Sequence, residues 1–194
     1  DMKILMLGFE YLPVKVGGLA EAITSIAETL AKLDNEVWVF TPSHGQLEGK
    51  KLFEFDIKIY GSKEKVSVYE RTQNGVRVFA LSSNLLDNKD VYGPGWEGML
   101  SKAVQFGKAS VGLLNYLIKK EGKPDVLHFH DWHTVFAGAL IKKYFQIPAV
   151  FTIHRLNKSK VPAYYFHESH LSELAPYPDI DPEYVGAYVA DAHV

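Results

Sequence analysis

The sequence predicts an α/β fold with one doubly wound, mostly parallel sheet that carries an inserted β-hairpin. Short apolar runs, typical of strands buried on both faces, alternate with segments whose apolar residues recur every three or four positions, as in amphipathic helices. This alternation is the order of β–α–β units. An Asn-Gly pair between two β-branched segments indicates the hairpin.

The N-terminal part has the order strand, helix, strand. Residues 3–9 form a continuous apolar run, and residues 37–40 form a second one. Between them lies an apolar stripe with spacings of four, three, four and three, formed by Leu19, Ile23, Ile26, Leu30 and Leu33. The stripe predicts a helix that begins at Gly17-Gly18 and ends near Asp34-Asn35. We expect the two strands to be parallel, with a right-handed crossover.

The middle of the chain contains the hairpin and a long helix. Residues 66–72 and 76–81 flank Asn74-Gly75, a pair that favours a tight turn between antiparallel strands. After a loop at Gly93-Pro94-Gly95, the helix is predicted from an apolar stripe at Met99, Leu100, Ala103, Val104, Val111, Leu114 and Ile118. Basic residues and a glycine typical of its end follow at Lys119, Lys120 and Gly122.

The C-terminal part returns to strand, helix, strand at residues 125–130, 135–144 and 149–153. The polar, proline-rich stretch 155–182 predicts a long irregular loop with one helical turn. A last helix is expected from about Glu183.

Composition argues against several classes of protein. A chain of 194 residues, 47% of them hydrophobic, can bury one large core. A formal net charge of −2 gives no basic surface for nucleic acid, and the absence of cysteine excludes disulfides and thiolate metal sites. The apolar run at residues 3–9 is too short for a signal peptide or a membrane span, so we expect a cytoplasmic protein. Asp1 ahead of Met2, and an unfinished C-terminal pattern, predict an excised domain of a longer protein.

Three polar motifs directly follow predicted strands. They comprise residues 10–18, residues 130–133 and His154. Ligands of doubly wound sheets bind beyond the C-terminal ends of the strands. Because these ends meet at one edge of the sheet, we expect the three motifs to form one site.

The first motif, EYLPVKVGGLAEA, places Lys15 two residues before Gly17-Gly18. Free amides and the positive dipole end of a helix attract an anion, and Lys15 adds a charge. The spacing matches neither the P-loop nor the dinucleotide-binding glycine pattern. Two interpretations stay open: a phosphate site, or a tight turn beside a solvated lysine.

The second motif, HFHDWH, has three interpretations. His128 and His130 share one face of a strand, and with His133 they form a candidate zinc site of a metal-dependent hydrolase. Asp131, however, comes one residue too early for the binuclear hydrolase pattern. The second interpretation is a sugar site, in which Asp131, Trp132 and a histidine meet hydroxyl groups. In the third, Trp132 and His133 only pack in the core.

The motifs together resemble those of the glycogen and starch synthases of the bacterial and archaeal type. The resemblance rests on Lys-x-Gly-Gly-Leu at 15–19, His-Asp-Trp-His at 130–133 and Thr-x-His at 152–154. It covers essentially the whole chain and includes MKILMLGFEYLP and Tyr92-Gly93. The chain departs from the family at Arg155, where many relatives have asparagine, and after Tyr92, where it lacks their Asp-Asn…Arg-Phe pattern.

The resemblance implies a retaining glycosyltransferase of GT-B architecture, in which two Rossmann-like domains face a cleft. Residues 1–194 would be the N-terminal, acceptor-side domain, and the C-terminal donor-binding domain would be absent from this chain. The substrates would be a nucleotide-glucose and the non-reducing 4-OH of an α-1,4-glucan. Neither a metal nor another cofactor would be needed, and neither nucleic acid nor membrane would be a partner.

The resemblance also implies roles for single residues. The catalytic residues would be His154 and Asp131. Those near the donor phosphates would be Lys15, Gly17 and Gly18, and those near the acceptor would be Glu10, Tyr92 and Trp132. Three alternatives stay open: another GT-B transferase of the sucrose-synthase type, the metal-dependent hydrolase, and a non-catalytic glucan-binding module.

Overall fold

A computed structural model of the chain describes residues 1–46 and 48–194. Within these residues the strands are β1 (Lys3–Leu7), β2 (Glu36–Pro42), β3 (Lys50–Ile59), β4 (Ser62–Gln73), β5 (Val76–Ser82), β6 (Val126–His130), β7 (Ala149–Thr152), β8 (Val161–Pro162), β9 (Asp179–Ile180) and β10 (Ala192–His193). The α-helices are α1 (Gly18–Lys32), α2 (Gly95–Glu121), α3 (Val135–Phe145), α4 (Ala163–Glu168) and α5 (Pro182–Val189). Single 3₁₀ turns occur at Trp132–Thr134 and Ser172–Leu174.

The main sheet has the strand order β10-β7-β6-β1-β2-β5-β4-β3. All neighbours from β10 to β5 are parallel, whereas β5, β4 and β3 pair antiparallel. The chain runs outwards from β1 through β2 on one side and through β6 and β7 on the other. The point at which the order reverses therefore lies between β1 and β6. The prediction of a doubly wound, mostly parallel sheet is confirmed.

Two apolar cores lie on the two faces of this sheet. On one face α1 packs Ile23 against Met6 of β1. On the other face Leu5 of β1 belongs to the larger core, with Phe106 of α2 and Phe136 of α3. Side chains alternate along a strand, so the continuous apolar run of β1 supplies both cores.

The antiparallel end is larger than the predicted hairpin. Asn74 and Gly75 form the tight turn, with φ angles of 50° and 83°. However, β5 pairs in parallel with β2, and β3 adds a third antiparallel strand that the sequence did not reveal. The sequence of β3, KKLFEFDIKI, carries its charged residues on exposed positions, because β3 is the edge strand, where charge prevents pairing with other chains.

The stretch 155–182 is more regular than predicted. It contains α4 and a small antiparallel pair formed by β8 and β9. Buried apolar side chains hold it to the domain; they are Val161, Phe166, Leu171 and Ile180. These anchors are too few and too widely spaced to produce a periodic signal in the sequence. In the part of the chain that the structure describes, no helix has the length and apolarity needed to span a bilayer.

Candidate active site

The C-terminal ends of β1, β6 and β7 open into a cavity of about 580 Å³. The predicted site residues that line it are Glu10, Gly17, Gly18, Tyr92, Asp131, Trp132 and His154. Lys15 is the predicted residue that does not line it. The parallel arrangement thus brings the three motifs to one edge of the sheet, as expected from their positions after strands.

Glu10 connects the first motif to Tyr92. Its side chain is buried, and Oε1 accepts hydrogen bonds from the amides of Val16 (2.7 Å) and Gly17 (3.4 Å). Its Oε2 accepts a hydrogen bond from the Tyr92 hydroxyl. Burial and this bond raise the pKa of Tyr92, so the phenol stays protonated and donates. A carboxylate of the chain therefore already occupies the Gly17 amide that the resemblance assigned to a donor phosphate.

Gly17 and Gly18 are exposed glycines that the fold itself does not require. Gly17 has an extended backbone with φ of −142°, and neither glycine has a φ in the left-handed region. A Cβ added at either position would meet no atom within 4 Å. The interpretation as a steric requirement of a tight turn therefore lacks support. What the glycines provide is open, bare backbone at the positive end of α1.

Lys15 forms an ion pair with Glu21, a residue of the first turn of α1 that sequence reasoning missed. About half of each side chain is exposed, 47% for Lys15 and 58% for Glu21. Pairs at such positions contribute about 0–1 kcal/mol, because water screens the charges and ordering two side chains costs entropy. Lys15 can therefore exchange Glu21 for another anion at little cost.

Asp131 has a strained backbone, with φ of 62° and ψ of 168°. Residues other than glycine rarely adopt this conformation, which costs on the order of 1–3 kcal/mol. The Asp131 amide donates to the carbonyl of Thr152 (2.8 Å), and Oδ1 accepts from the amides of His154 (2.7 Å) and Arg155 (3.4 Å). Burial raises the pKa of Asp131, and those two amides oppose the rise. The carboxylate thus holds the backbone of His154.

Two histidines of the second motif, His128 and His130, each form a side-chain hydrogen bond inside the protein. The Nδ1 atom of His130 lies 2.9 Å from Nε2 of His154, and Nε2 of His128 lies 2.7 Å from Oγ1 of Thr152. The rings of His128 and His130 are 4.0 Å apart, which confirms that they share a face. Across residues 1–46 and 48–194, no three His, Asp or Glu side chains are placed to hold one metal ion. The described residues therefore do not favour the metal-hydrolase alternative over a glycosyltransferase.

Trp132 offers little free surface to a ligand. It is 2% exposed, and its ring packs against His133 (4.3 Å between centroids) and Trp96 (5.5 Å). Trp96, at the start of α2, is 47% exposed and lines the cavity. Sequence reasoning missed Trp96. The signal that could have found it is an aromatic residue directly after the glycine-rich loop that begins at Tyr92.

A third missed residue, Glu183 of α5, fixes the remaining wall of the cavity. Its buried carboxylate accepts hydrogen bonds from the amides of Asn157 (2.9 Å) and Lys158 (3.0 Å). These bonds fix the loop that follows His154, in which Arg155, Asn157 and Ser159 line the cavity.

The sheet defines a Rossmann-like α/β domain of the kind found in GT-B proteins, with its cavity at the C-terminal ends of the parallel strands. The chain belongs to the starch synthase catalytic domain family, a family of glycosyltransferases, whose model matches residues 3–194. The predicted family is thereby confirmed.

Glycogen synthases are among the curated relatives. One from Thermus thermophilus is 30% identical over 156 residues, which cover 80% of this chain and 32% of the relative. That of Exiguobacterium sibiricum is 29% identical over 187 residues, covering 89% and 38%. This chain spans about a third of the length of these relatives.

Two solved structures share the fold. The catalytic domain of starch synthase IV from Arabidopsis thaliana, bound to ADP and acarbose, has a TM-score of 0.85 at 17% identity, covering 99% of this chain and 44% of that one. Sucrose-phosphate synthase from Thermosynechococcus elongatus has a TM-score of 0.61 at 16% identity, covering 100% and 42%.

Proposed function

We propose that this chain is the N-terminal, acceptor-side domain of a glycogen synthase. The enzyme transfers glucose from a nucleotide-glucose to the non-reducing 4-OH of an α-1,4-glucan with retention of configuration. The observation that carries the proposal is the open backbone at Gly17-Gly18, which shares one cavity with Asp131 and His154. In this proposal the Gly18 amide binds the anion, and polar groups that line the same cavity bind the sugar.

The amide of Gly18 and the dipole of α1 stabilise the diphosphate as its charge develops. Glu10 limits this role for Gly17, whose amide it already holds. Lys15 supplies a further positive charge after it leaves Glu21. The donor side therefore consists of exposed groups that change partners when the nucleotide-glucose arrives.

The acceptor side consists of aromatic and hydrogen-bonding groups. Trp96 offers an exposed indole face at the cavity, and Trp132 supports it from behind. Sugars bind such faces through their C–H groups while polar side chains bind their hydroxyls. We assign the transferred glucose to His154, and we assign Asp131 the task of holding His154 in place.

The rest of the donor site belongs to a C-terminal domain outside this chain. In support, this chain spans about a third of its relatives, and starch synthase IV, of which it covers 44%, binds ADP and acarbose. The proposal requires no metal and no cofactor, and it places the enzyme in the cytoplasm.

The central observation can be tested with Gly18→Ala. Because a Cβ there meets no atom within 4 Å and the φ angle suits alanine, the free energy of unfolding should stay equal or rise by up to about 1 kcal/mol. In the full-length enzyme, kcat/KM for the nucleotide-glucose should nevertheless fall about tenfold or more, because the methyl group blocks the phosphate. Unchanged kinetics would contradict a phosphate at this helix end.

Binding to the chain itself separates a transferase domain from a non-catalytic glucan-binding module. With half of the donor contacts missing, nucleotide-glucose should bind with a Kd of about 1 mM or weaker, and no transfer of radiolabelled glucose should occur. Maltooligosaccharides should shift the amide NMR signals of Trp96, Asp131 and His154. Clear transfer by residues 1–194 would contradict the assignment of the remaining donor contacts to a second domain. If glucan shifts the amide signals but nucleotide-glucose has no effect on those at the N-terminus of α1, the non-catalytic glucan-binding module would be favoured.

A further inference from the structure

His130 lies directly behind His154, and no role follows for it from the resemblance. We propose that His130 is a positioning residue, which donates its Nδ1–H to Nε2 of His154 and so fixes the tautomer and the ring plane of His154. This inference rests on the proposed function only in assigning His154 to the sugar. The imidazole pair itself is a property of the chain.

The geometry holds His154 at two points. Its Nε2 is 2.9 Å from Nδ1 of His130, and the two ring planes are close to parallel, with centroids 5.1 Å apart and an interplanar angle of 25°. Its backbone amide donates to Oδ1 of Asp131 at 2.7 Å. His130 is fully buried at the end of β6, paired in register with Thr152 of β7. The side chain and the backbone of an otherwise exposed residue are thus both fixed by buried groups.

The position of the shared proton follows from the other nitrogen of His130. One proton lies between the two rings, and His130 is neutral because burial and the neighbouring histidines hold its pKa well below the usual range. Its Nε2 is buried and has no partner among residues 1–46 and 48–194. If His154 donated, neutral His130 would carry its own proton on Nε2, leaving a buried N–H without an acceptor, which native proteins avoid. If His130 donates, Nε2 carries only a lone pair.

Donation by His130 determines what His154 offers to a ligand. A neutral imidazole that accepts at Nε2 carries its proton on Nδ1. His154 therefore presents an N–H donor, suited to a sugar oxygen. His128 packs on the other side of His130, with ring centroids 4.0 Å apart, and its Nε2 bonds to Oγ1 of Thr152 at 2.7 Å, away from His154. The histidine pattern that suggested a metal site is thus a packed row of imidazoles that ends at the cavity.

The tautomers can be measured directly in this chain by ¹⁵N NMR of the histidine rings. In the wild type, His130 and His154 should both show the Nδ1–H tautomer. In His130→Phe, which keeps the ring but loses the donor, His154 should change to a mixture dominated by Nε2–H. In His130→Asn, whose side-chain amide can replace the Nδ1–H, the Nδ1–H tautomer of His154 should return.

His128→Phe is the matched control, because it removes a neighbouring imidazole without touching His154, whose tautomer should not change. An Nε2–H tautomer of His154 in the wild type would overturn the proposal, as would an unchanged His154 in His130→Phe. If His130→Phe fails to fold, the wild-type spectrum and His130→Asn still decide the question. None of these measurements needs a substrate, so they stand or fall separately from the proposed function.

The catalytic consequence is tested in the full-length enzyme. His130→Phe should lower kcat on the order of tenfold, as outer-shell hydrogen bonds commonly do, with the KM for glucan changed less than about twofold. His130→Asn should recover most of kcat. A purely structural role would instead lower the stability of both variants and leave kcat per folded molecule unchanged, which would overturn the assignment.

Discussion

The two sides of the cavity are built differently. The lysine loop, residues 15–18, is exposed, and its one charged side chain is held by a surface ion pair. The histidine wall, formed by His130, Asp131 and His154, rests on two buried side chains that make hydrogen bonds across β6 and β7. The wall is held by hydrogen bonds inside the protein, whereas the loop can exchange its partner.

The difference follows from how far each group is exposed to water. Buried polar groups must find partners inside the protein, because an unpaired one costs about 1–3 kcal/mol, so their arrangement is rigid. Exposed charges find partners in water, so their arrangement is weakly determined. Changes in the wall should therefore affect folding and function together, whereas changes in the loop should affect function alone.

The largest effect on stability is expected at Asp131. Asp131→Ala loses the hydrogen bonds to the backbone after β7 and keeps the strained φ of 62°, so the free energy of unfolding should fall by about 2–3 kcal/mol. Asp131→Gly loses the same bonds but relieves the strain, and it should be about 1–2 kcal/mol more stable than Asp131→Ala. Urea unfolding measures both. An alanine variant as stable as the glycine variant would show that the backbone is not strained.

Lys15→Ala should separate function from stability. In the full-length enzyme the loss of one charge-assisted phosphate contact should reduce kcat/KM for the nucleotide-glucose roughly 30- to 150-fold, or about 2–3 kcal/mol. The free energy of unfolding should change by less than about 0.5 kcal/mol, because Lys15 is exposed. Steady-state kinetics and urea unfolding on one preparation test both halves, and wild-type kinetics would remove Lys15 from the site.

Acid should destabilise the side of the domain that carries the buried histidines. Burial lowers the pKa of His133 and of His44 to about 3, and burial with the nearby His154 lowers that of His128 to about 4. In the unfolded chain these histidines have a pKa of about 6.5. Between pH 6.5 and 4 the unfolded state therefore binds more protons, so stability falls as the pH falls. His130, whose pKa burial also lowers, adds to this effect, whereas the raised pKa of Asp131 acts in the opposite direction, as one group against four histidines.

The unfolding midpoint in urea at pH 7.5 and at pH 4.5 measures this dependence. His133→Phe is the matched variant, because its ring replaces an imidazole whose Nδ1 is buried without a partner among the described residues and which packs against Phe9 and Tyr92. This variant should lose less stability on acidification than the wild type. Equal losses in both proteins would mean that His133 is not held neutral by the fold.

The smallest effect is expected from Glu21→Gln, which releases Lys15 within the loop. Since the exposed pair is worth about 0–1 kcal/mol, the affinity of the chain for nucleotide-glucose should rise by at most about fivefold. Titration monitored by NMR measures the change, and Glu36→Gln, which removes the carboxylate of another ion pair, formed with Lys3, is the control. Weaker binding in Glu21→Gln would mean that Glu21 itself contacts the ligand.

The sequence by itself determined the order of the β–α–β units and the edge of the sheet at which the candidate site lies. The apolar run of β1 and the periodic stripe of α1 are local signals, because each reports the environment of residues adjacent along one element. Parallel strands carry their C-terminal ends to one edge, so the position of Asp131 and His154 after β6 and β7 was sufficient to place them in one cavity.

Only the tertiary structure decided which partner each polar group takes. Glu10 meets Tyr92 from 82 positions away in the chain, and His130 meets His154 from 24 positions away. The same packing buries Trp132 and leaves Trp96 at the surface of the cavity. Residue type and spacing carry no information about such contacts, because they form when distant strands pair and expel water, and each buried group then bonds to whatever lies within reach.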